Sequence, residues 1–290
     1  MNSLARAESI HSPGLEPLLR RIIPNDAPAD RASKFAELLE AYRNGIVVKV
    51  GWEALSGQSD KVFQSVGILS RLGVPLVVVH GGGNQVSREM ERRGMTVEMI
   101  DGLRVTTSEA LAVIMAVMSR IGADITYRLN SNGIGAVQLL GHDGLLEARQ
   151  ISAEKGLIGK VTSVDSELIL KLIAEGMVPV VTPGALSASQ YMNINADHAA
   201  AGVASGIGAA KAVFVTNVDG IYDGSAFRHE ITVDELKALM ATGTINGGMM
   251  PKADSAIIAV ESGVSAGIVN GQIRDSVILH LAEEWPEQEA

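Results

Sequence analysis

Apolar residues along the chain fall into two alternating kinds of segment. Short runs rich in Val and Ile, such as Ile46–Val50 and Pro75–Val79, have strand length and end in turn residues. Longer stretches between them, such as Ser108–Ser131, have the pattern of helices. Near-continuous apolar strands that alternate with helices are typical of a mostly parallel sheet covered on both faces. The pattern therefore predicts an α/β fold.

The same pattern sets the expected order of elements. An insert rich in hairpins is predicted between Leu140 and Val161. The predicted strands are Ile46–Val50, Pro75–Val79, Gly135–Leu140, Val178–Val181, Ala212–Thr216 and Ala266–Val269. The predicted helices are Asp60–Leu72, Asn84–Arg93, Ser108–Ser131, Ser166–Ala174, Asp197–Ser205, Val233–Ala241 and Ala253–Ser262.

The first 44 residues differ from the rest, because four of the nine prolines precede Ala29. We expect an N-terminal arm over residues 1–44 that ends in a helix at Asp30–Asn44, where Phe35 and Leu38 begin an apolar face. Two interpretations stay open. The helix either packs on the main domain or serves as an oligomerisation arm.

Composition excludes several classes of function. The 290 residues include no cysteine, which rules out disulfides, thiolate zinc sites, iron–sulfur clusters and a cysteine nucleophile. The net charge of −9 and the scarcity of aromatic residues (two Trp, four Tyr, four Phe) argue against binding to nucleic acid or an anionic membrane. No transmembrane helix or secretory signal is recognised, so we expect a cytoplasmic protein.

In a parallel α/β sheet, ligands bind at the carboxyl ends of the strands, and this rule selects the residues of interest. The run His80–Gly83 ends one strand and opens a helix, where glycine amides can face an anion. Glycines at such a position can also serve only close helix–sheet packing. The common nucleotide motifs G-x-G-x-x-G and G-x-x-x-x-G-K-[ST] are absent.

Two lysines stand at positions that favour an anion. Lys49 lies within an apolar strand, where an ammonium group is costly unless it meets a negative charge. Lys252 lies in the first turn of a helix after Pro251, near the positive end of the helix dipole. The alternatives are a lysine that reaches solvent at the sheet edge for Lys49 and a solvated first-turn lysine for Lys252.

A polar cluster precedes another helix. Asn193 and Asn195 alternate in an extended segment, so both can face the same side. Asp197 stands at the helix start, where it either caps the helix or holds the two lysines in place. Two lysines, one carboxylate and a glycine loop fit phosphoryl transfer, which needs positioning and positive charge more than covalent help. No Ser–His–Asp set, H-E-x-x-H motif or metal-ligand spacing is recognised.

Seven motifs in order give the chain a family resemblance from about Gly45 to Gly271. The chain resembles the amino acid kinase family and, within it, the acetylglutamate kinase branch. The motifs are VKVG at Val48–Gly51, VHGGG at Val79–Gly83, DGLRVT at Asp101–Thr106, GLIGKV at Gly156–Val161, MNINAD at Met192–Asp197, TNVDGIY at Thr216–Tyr222 and GGMMPK at Gly247–Lys252.

The resemblance implies an open, mainly parallel, eight-stranded αβα sandwich. Residues 45–184 would form an N-lobe for amino-acid binding and dimerisation, and residues 185–290 a C-lobe for ATP. The implied reaction is ATP-dependent phosphorylation of the side-chain carboxylate of N-acetyl-L-glutamate to an acyl phosphate, on the route to arginine. The alternatives are a kinase for a related acylated amino acid (aminoadipate type) or for a specialised carboxylate substrate, and a catalytically weak, amino-acid-binding regulatory protein.

The resemblance also implies residue roles. Lys49 and Lys252 would stabilise the transferring phosphoryl group, and Asp197 would orient both lysines. Mg²⁺ would be held mainly by phosphates and water, with no ligand set from the protein. The implied substrate contacts are the Gly82 and Gly83 amides, Arg104 for a carboxylate, and Asn193. The implied ATP contacts are Gly51, Thr216, Asn217, Asp219, Gly247, Gly248 and Met249.

Three features depart from the family pattern. Trp52 stands where a second glycine is usual, beside the expected phosphate position, and Asn217 stands where this branch often has Asp. The family's C-terminal Gly-Thr strand is not recognisable. The helix Asp30–Asn44 resembles one that interlaces dimers into hexamers. Because the core of the family dimerises through its N-lobe, the resemblance implies a homodimer, and a hexamer is kept as the alternative.

Overall fold

The computed structural model describes residues 28–51 and 60–283, together with Arg20. The helices of this part of the chain are α1 (Pro28–Ala41), α2 (Asp60–Arg71), α3 (Gly83–Arg92), α4 (Ser108–Ser131), α5 (Ser166–Ala174), α6 (Ala196–Ile207), α7 (Val233–Ala241), α8 (Met250–Glu261) and α9 (Ser276–Glu283). The strands are β1 (Ile46–Val50), β2 (Leu76–His80), β3 (Met99–Ile100), β4 (Leu103–Arg104), β5 (Ala136–Leu140), β6 (Leu146–Gln150), β7 (Ile158–Val164), β8 (Val178–Thr182), β9 (Ala185–Ser187), β10 (Gln190–Ile194), β11 (Lys211–Thr216), β12 (Ile221–Tyr222), β13 (Phe227–Arg228) and β14 (Ser265–Asn270).

The central sheet has the strand order β14–β11–β1–β2–β8–β5. Every neighbouring pair in it is parallel. All residues of β1, β2 and β8 are buried, because helices cover both faces of the sheet. The predicted α/β class and mainly parallel sheet are confirmed.

Alternate side chains of the central strands enter two separate hydrophobic clusters. In β1, Ile46 and Val48 belong to the first cluster and Val47 belongs to the second, as the pleat of a strand requires. Helices α1, α2, α3, α4 and α9 cover the first cluster, and α5 to α8 cover the second. The molecule is therefore a three-layered αβα sandwich.

The strand count differs from the eight that the resemblance implied. The central sheet has six strands in the described residues, and β6, β7, β9 and β10 close into a separate small sheet. In β6, Leu146 and Ala148 are buried while Glu147 and Arg149 are exposed. A strand with one polar face cannot join a sheet that is buried on both faces, so these strands pair with one another. The antiparallel pair β6–β7 confirms the predicted hairpin insert.

The helix predictions match the structure at both ends for α4, α5 and α7. Helix α9 has no counterpart among the predicted elements. Helix α1 begins at Pro28 rather than at Asp30 and ends at Ala41. Its residues Phe35 and Leu38 are buried in the first cluster, which favours a helix packed on the main domain. The division into lobes at residue 184 stays a prediction.

Helix α4 is the one described helix whose length and hydropathy would suffice to cross a membrane. Its residues Val113, Ile114 and Ile125 are buried in the first cluster. The helix packs against α3, β5 and β8. This is the packing of a core helix in an αβα sandwich.

Candidate active site

A cavity of about 440 Å³ opens at the carboxyl ends of β1 and β2. This is the edge at which ligands bind in parallel sheets. Its walls come from the loop after β2, from β4 and β10, and from the N-terminal turns of α6 and α8. The predicted site residues that line it are Lys49, Gly51, Gly82, Gly83, Arg104, Asn193, Asp197, Gly248 and Lys252.

One carboxylate holds both predicted lysines. Lys49 Nζ lies 2.9 Å from Asp197 Oδ1, and Lys252 Nζ lies 3.3 Å from Asp197 Oδ2. Lys49 and Asp197 are 6% and 5% exposed, so Lys49 is buried and paired and does not reach out to solvent. We call Lys49, Asp197 and Lys252 the transfer centre. Its two positive charges and one negative charge leave a net charge of +1 on the cavity wall.

The pKa shifts follow from this arrangement. Burial by itself raises the pKa of Asp197, but the charges of Lys49 and Lys252 hold it below its usual value. Burial and the charge of Lys49 lower the pKa of Lys252, and Asp197 offsets part of that effect. The two ammonium groups therefore repel one another, and an anion in the cavity would offset this repulsion.

The open question about Asp197 is answered by its neighbour. Asn195 caps α6, because its side-chain Oδ1 accepts from the backbone N–H groups of Asp197 at 2.8 Å and His198 at 3.2 Å. Asp197 is thereby free to point at the lysines from the first turn. Asn193 has a different partner, since its Nδ2 donates to Thr106 Oγ1 at 3.1 Å. Both Asn193 and Asn195 line the cavity, as expected from their alternation, but their side chains have different partners.

The glycine loop needs small residues because the backbone passes close to α4. A Cβ atom at Gly82 would lie 2.5 Å from Ile121 Cδ1 and 2.6 Å from Met118 Sδ. Gly82 is the N-terminal cap of α3, so backbone amides of the first turn lie at the cavity. The N–H of Gly81 donates to the carbonyl of Val50 at 2.8 Å and ties the loop to β1.

A buried polar network that sequence reasoning missed supports this loop. His80 is fully buried, and its Nε2 lies 3.0 Å from Thr182 Oγ1. Gln138 Nε2 donates to the same hydroxyl at 3.0 Å. Burial lowers the pKa of His80 to about 4, against a smaller opposing effect of the Gly81 carbonyl. His80 is therefore neutral at pH 7, as a buried imidazole without a carboxylate partner should be.

Arg104 lies on β4 and lines the cavity beside the glycine loop. Its Nη2 donates to the Gly83 carbonyl at 3.0 Å and to Ser87 Oγ at 2.8 Å. Burial lowers its pKa, and Glu91 offsets part of this. These contacts fix the guanidinium beside the glycine loop, where its planar fork can meet a substrate carboxylate.

The remaining predicted residues, which we call the nucleotide side, lie mostly outside this cavity. They are Thr216, Asn217, Asp219, Gly247 and Met249. Gly248 belongs both to the nucleotide side and to the lining of the cavity. Asn217 and Asp219 are exposed, and Asn270 Nδ2 donates to Asp219 Oδ1 at 2.6 Å. Asp219 lines a separate cavity of about 730 Å³. The role of these residues toward ATP stays a prediction.

Some lining residues were not among the predicted site residues. The apolar wall of the cavity includes Met99, Leu103, Ile114, Met118 and Ile158. Met99 and Leu103 belong to two-residue strands, which are too short for a periodicity to show. Trp52, the predicted modifier of the pocket, lies outside the described residues. No group of three His, Asp or Glu side chains suited to a metal ion occurs in the described ranges.

A three-layered parallel fold with two lysines on one buried carboxylate, beside a glycine loop, has the parts of a phosphotransferase. The chain belongs to the amino acid kinase family, because the model of that family matches residues 44–270. Members of this family use ATP, so the nucleotide donor of the chain is ATP.

Two relatives and one solved structure are similar to most of this chain. The acetylglutamate kinase of Methanocaldococcus jannaschii is 35% identical over 265 residues, which cover 84% of this chain and 88% of the relative. The acetylglutamate kinase of Geobacillus kaustophilus is 39% identical over 232 residues, which cover 78% and 90%. The structure of N-acetylglutamate synthase from Neisseria gonorrhoeae superposes with a TM-score of 0.75 at 24% identity, covering 88% of this chain and 61% of that one. At that identity the likeness shows the fold alone.

Proposed function

We propose that this chain catalyses the ATP-dependent phosphorylation of the side-chain carboxylate of N-acetyl-L-glutamate. The product is an acyl phosphate on the route to arginine, and we place the reaction in the cytoplasm. The observation that carries the proposal is the transfer centre, with Asp197 between two lysines at 2.9 and 3.3 Å beside the glycine loop. The two acetylglutamate kinases that match most of the chain support the choice of substrate.

The chemistry requires no general base from the protein. A glutamate side chain has a pKa of about 4.3, so the substrate carboxylate is already ionised at pH 7 and can attack directly. One of its oxygens bonds to the γ-phosphorus while the bond to the β–γ bridging oxygen breaks and ADP leaves. Negative charge on the transferring group is then stabilised by Lys49 and Lys252. Asp197 acts by holding both ammonium groups in position.

Substrate binding is assigned to the residues that line the cavity beside the transfer centre. We assign the α-carboxylate of the substrate to Arg104, whose guanidinium is fixed by Gly83 and Ser87. Asn193 would hold the amide and carboxylate end, and the amides of Gly82 and Gly83 would face the substrate and the transferring phosphate. The apolar wall of the cavity is suited to the methyl group of the acetyl moiety.

ATP would lie along the nucleotide side, with Gly51 and Gly248 near its terminal phosphates. Mg²⁺ would be held mainly by phosphate oxygens and water, since Mg²⁺ in kinases commonly keeps several waters. Bound there, the ion would neutralise charge on the phosphates. The described residues fit this arrangement, because the transfer centre and the glycine amides supply the remaining positive potential and no carboxylate cluster occurs among them.

We further propose that the chain forms a homodimer, with a hexamer as the alternative outcome. Light scattering after gel filtration distinguishes the two. A mass near twice 30.4 kDa is expected, and a mass near six times that value would place α1 at an interface.

A coupled ADP-release assay tests the proposed substrate. N-Acetylglutamate, N-acetyl-aminoadipate and free glutamate are compared at matched concentrations, and we expect the highest kcat/KM with N-acetylglutamate. A higher value with N-acetyl-aminoadipate would shift the assignment to a longer acylated amino acid. No turnover with any of the three substrates would contradict the proposal that the chain is this kinase. Calorimetry with ATP would then show whether a nucleotide binds at all.

A further inference from the structure

A close contact outside the cavity joins α6 and α8, which carry Asp197 and Lys252 of the transfer centre. His198 Nε2 lies 3.0 Å from Asp254 Oδ2. The His198 side chain is 9% exposed and that of Asp254 is 45% exposed. Neither residue lines the cavity, and the proposed reaction uses neither of them directly.

The position of this pair relates it to the transfer centre. His198 directly follows Asp197 on α6, and Asp254 is two residues beyond Lys252 on α8. Helices α6 and α8 pack directly on one another. A contact between His198 and Asp254 therefore sets how far the first turn of α8 lies from the first turn of α6. That spacing decides whether Lys252 reaches Asp197.

Helix α6 also packs on the small sheet. A Cβ atom at Gly206 would lie 2.8 Å from Val164 Cβ of β7, so α6 sits tightly on the small sheet. Helix α6 is thus a fixed reference, while the N-terminal turn of α8 begins after the exposed glycines Gly247 and Gly248. Of the two helices, α8 has more freedom to shift at its start.

A force that would shift α8 is present in the transfer centre. The charge of Lys49 lowers the pKa of Lys252, which means that the two ammonium groups repel. Asp197 opposes this repulsion at 3.3 Å from Lys252, but it also binds Lys49 at 2.9 Å. A second tie between the helices would keep Lys252 in reach before any phosphate is bound. His198 lowers the pKa of the Asp254 carboxyl, against the opposing effect of burial and with help from Lys160, as expected for a favourable contact.

We propose that His198 and Asp254 are positioning residues that hold α8 against α6 and so keep Lys252 aligned with Asp197 for phosphoryl transfer. The role in catalysis rests on the proposed function, because it requires the transfer centre to act on a phosphoryl group. The alignment itself is a property of the free protein.

The kinetic test compares His198→Gln and Asp254→Asn with the wild type. Displacing a transition-state group without removing it costs rate, so we expect kcat to fall about tenfold in each variant, with the KM for both substrates within about twofold. Asp254→Glu keeps the carboxylate and should recover part of kcat. The matched control is Glu261→Gln, which removes an exposed ion pair of 2.6 Å between α8 and Lys237 of α7. We expect wild-type kcat from this control.

A second test needs no substrate. The melting temperatures of Lys252→Met, His198→Gln and their double variant form a cycle that isolates the coupling between the two contacts. If the pair aligns Lys252 with Asp197, the shift caused by Lys252→Met should be smaller in the His198→Gln background. Additive shifts, or unchanged kcat in both single variants, would overturn the proposal. Absent turnover in the wild type would instead refute the proposed function, and the cycle would still decide the alignment.

Discussion

Lys49 and Asp197 of the transfer centre are 6% and 5% exposed, whereas Asn217 and Asp219 of the nucleotide side face solvent. The transfer centre is assembled from β1, α6 and α8, which the core holds in place. The nucleotide side consists of the last residue of β11, the loop after it and the turn that precedes α8. One half of the candidate site is therefore built by packing, and the other half is built of exposed loops.

This difference has an energetic meaning. Burying ion pairs is costly, and hydrophobic residues of similar volume would often stabilise the fold as well or better. A buried Lys–Asp–Lys arrangement is thus explained by function more readily than by stability. It also shows how a chain with a net charge of −9 can bind a polyanion, because the positive potential is local and shielded from solvent.

The largest effect is expected at the transfer centre. Lys252→Ala removes a preorganised charge from the transferring phosphoryl group, so kcat should fall on the order of 10²–10³-fold. Steady-state ADP release measures it. Lys237→Ala, which removes an exposed lysine of α7, is the control and should retain wild-type kcat. Unchanged kcat in Lys252→Ala would remove the distinction between the two halves of the site.

The buried support of the glycine loop predicts a dependence of stability on pH. His80 has a pKa of about 4 when folded against 6.5 ordinarily, because burial disfavours the imidazolium. Between these values the unfolded chain binds more protons. The free energy of unfolding should hold its full value above pH 6.5 and fall, by on the order of 3 kcal/mol, as the pH drops toward 4.

Urea unfolding across this pH range measures the effect. His80→Asn should flatten the pH dependence, while His229→Asn, which removes an exposed imidazole, should leave it as in the wild type. Equal slopes in the wild type and in His80→Asn would mean that other groups cause the acid sensitivity.

The substrate wall should respond in binding more than in rate. Arg104→Gln removes charged hydrogen bonds worth about 1.5–3 kcal/mol, so the KM for N-acetylglutamate should rise roughly 10–100-fold while kcat changes far less. Initial rates at varied substrate measure both constants. Arg92→Gln, at an exposed position on α3, serves as the matched control. A loss of kcat alone in Arg104→Gln would move this residue to the transfer step.

The smallest effect is expected on the nucleotide side. Asp219 is exposed and accepts one hydrogen bond from Asn270, so Asp219→Ala should raise the KM for ATP only about 2–10-fold and leave kcat nearly unchanged. Rates at varied ATP measure this. A drop in kcat as large as that of Lys252→Ala would show that the exposed loops also organise the chemistry.

The sequence predicted much of the fold because the apolar patterns of its strands and of its helices were both strong. Strands buried on both faces read as apolar runs, and α4, α5 and α7 were placed at both ends. The separate small sheet could not be predicted, because β6 and β9 are short and their pairing depends on distant residues. Helix α9 lies beyond the last recognised motif, and no element was predicted there.

The candidate site, like the fold, was predicted only in part. Lys49, Asp197 and Lys252 were identified because charge in or beside apolar segments is costly and therefore informative. From the sequence, Asp197 could either cap its helix or hold both lysines. The sequence could not decide between these roles, because the distances depend on how α6 and α8 pack. The support of the glycine loop by Thr182 and Gln138 had no local signal, because these residues lie on other strands.

The amount of acyl phosphate formed by the wild type and by Asp197→Asn tests the role of the transfer centre most directly. The acyl phosphate made from N-acetylglutamate and ATP is trapped with hydroxylamine as a hydroxamate, alongside the ADP released. We expect equal amounts of hydroxamate and ADP from the wild type, and a rate lower by on the order of 10²–10³-fold in Asp197→Asn. Equal rates in the two proteins, or ADP release without hydroxamate, would contradict phosphoryl transfer to a carboxylate at this centre.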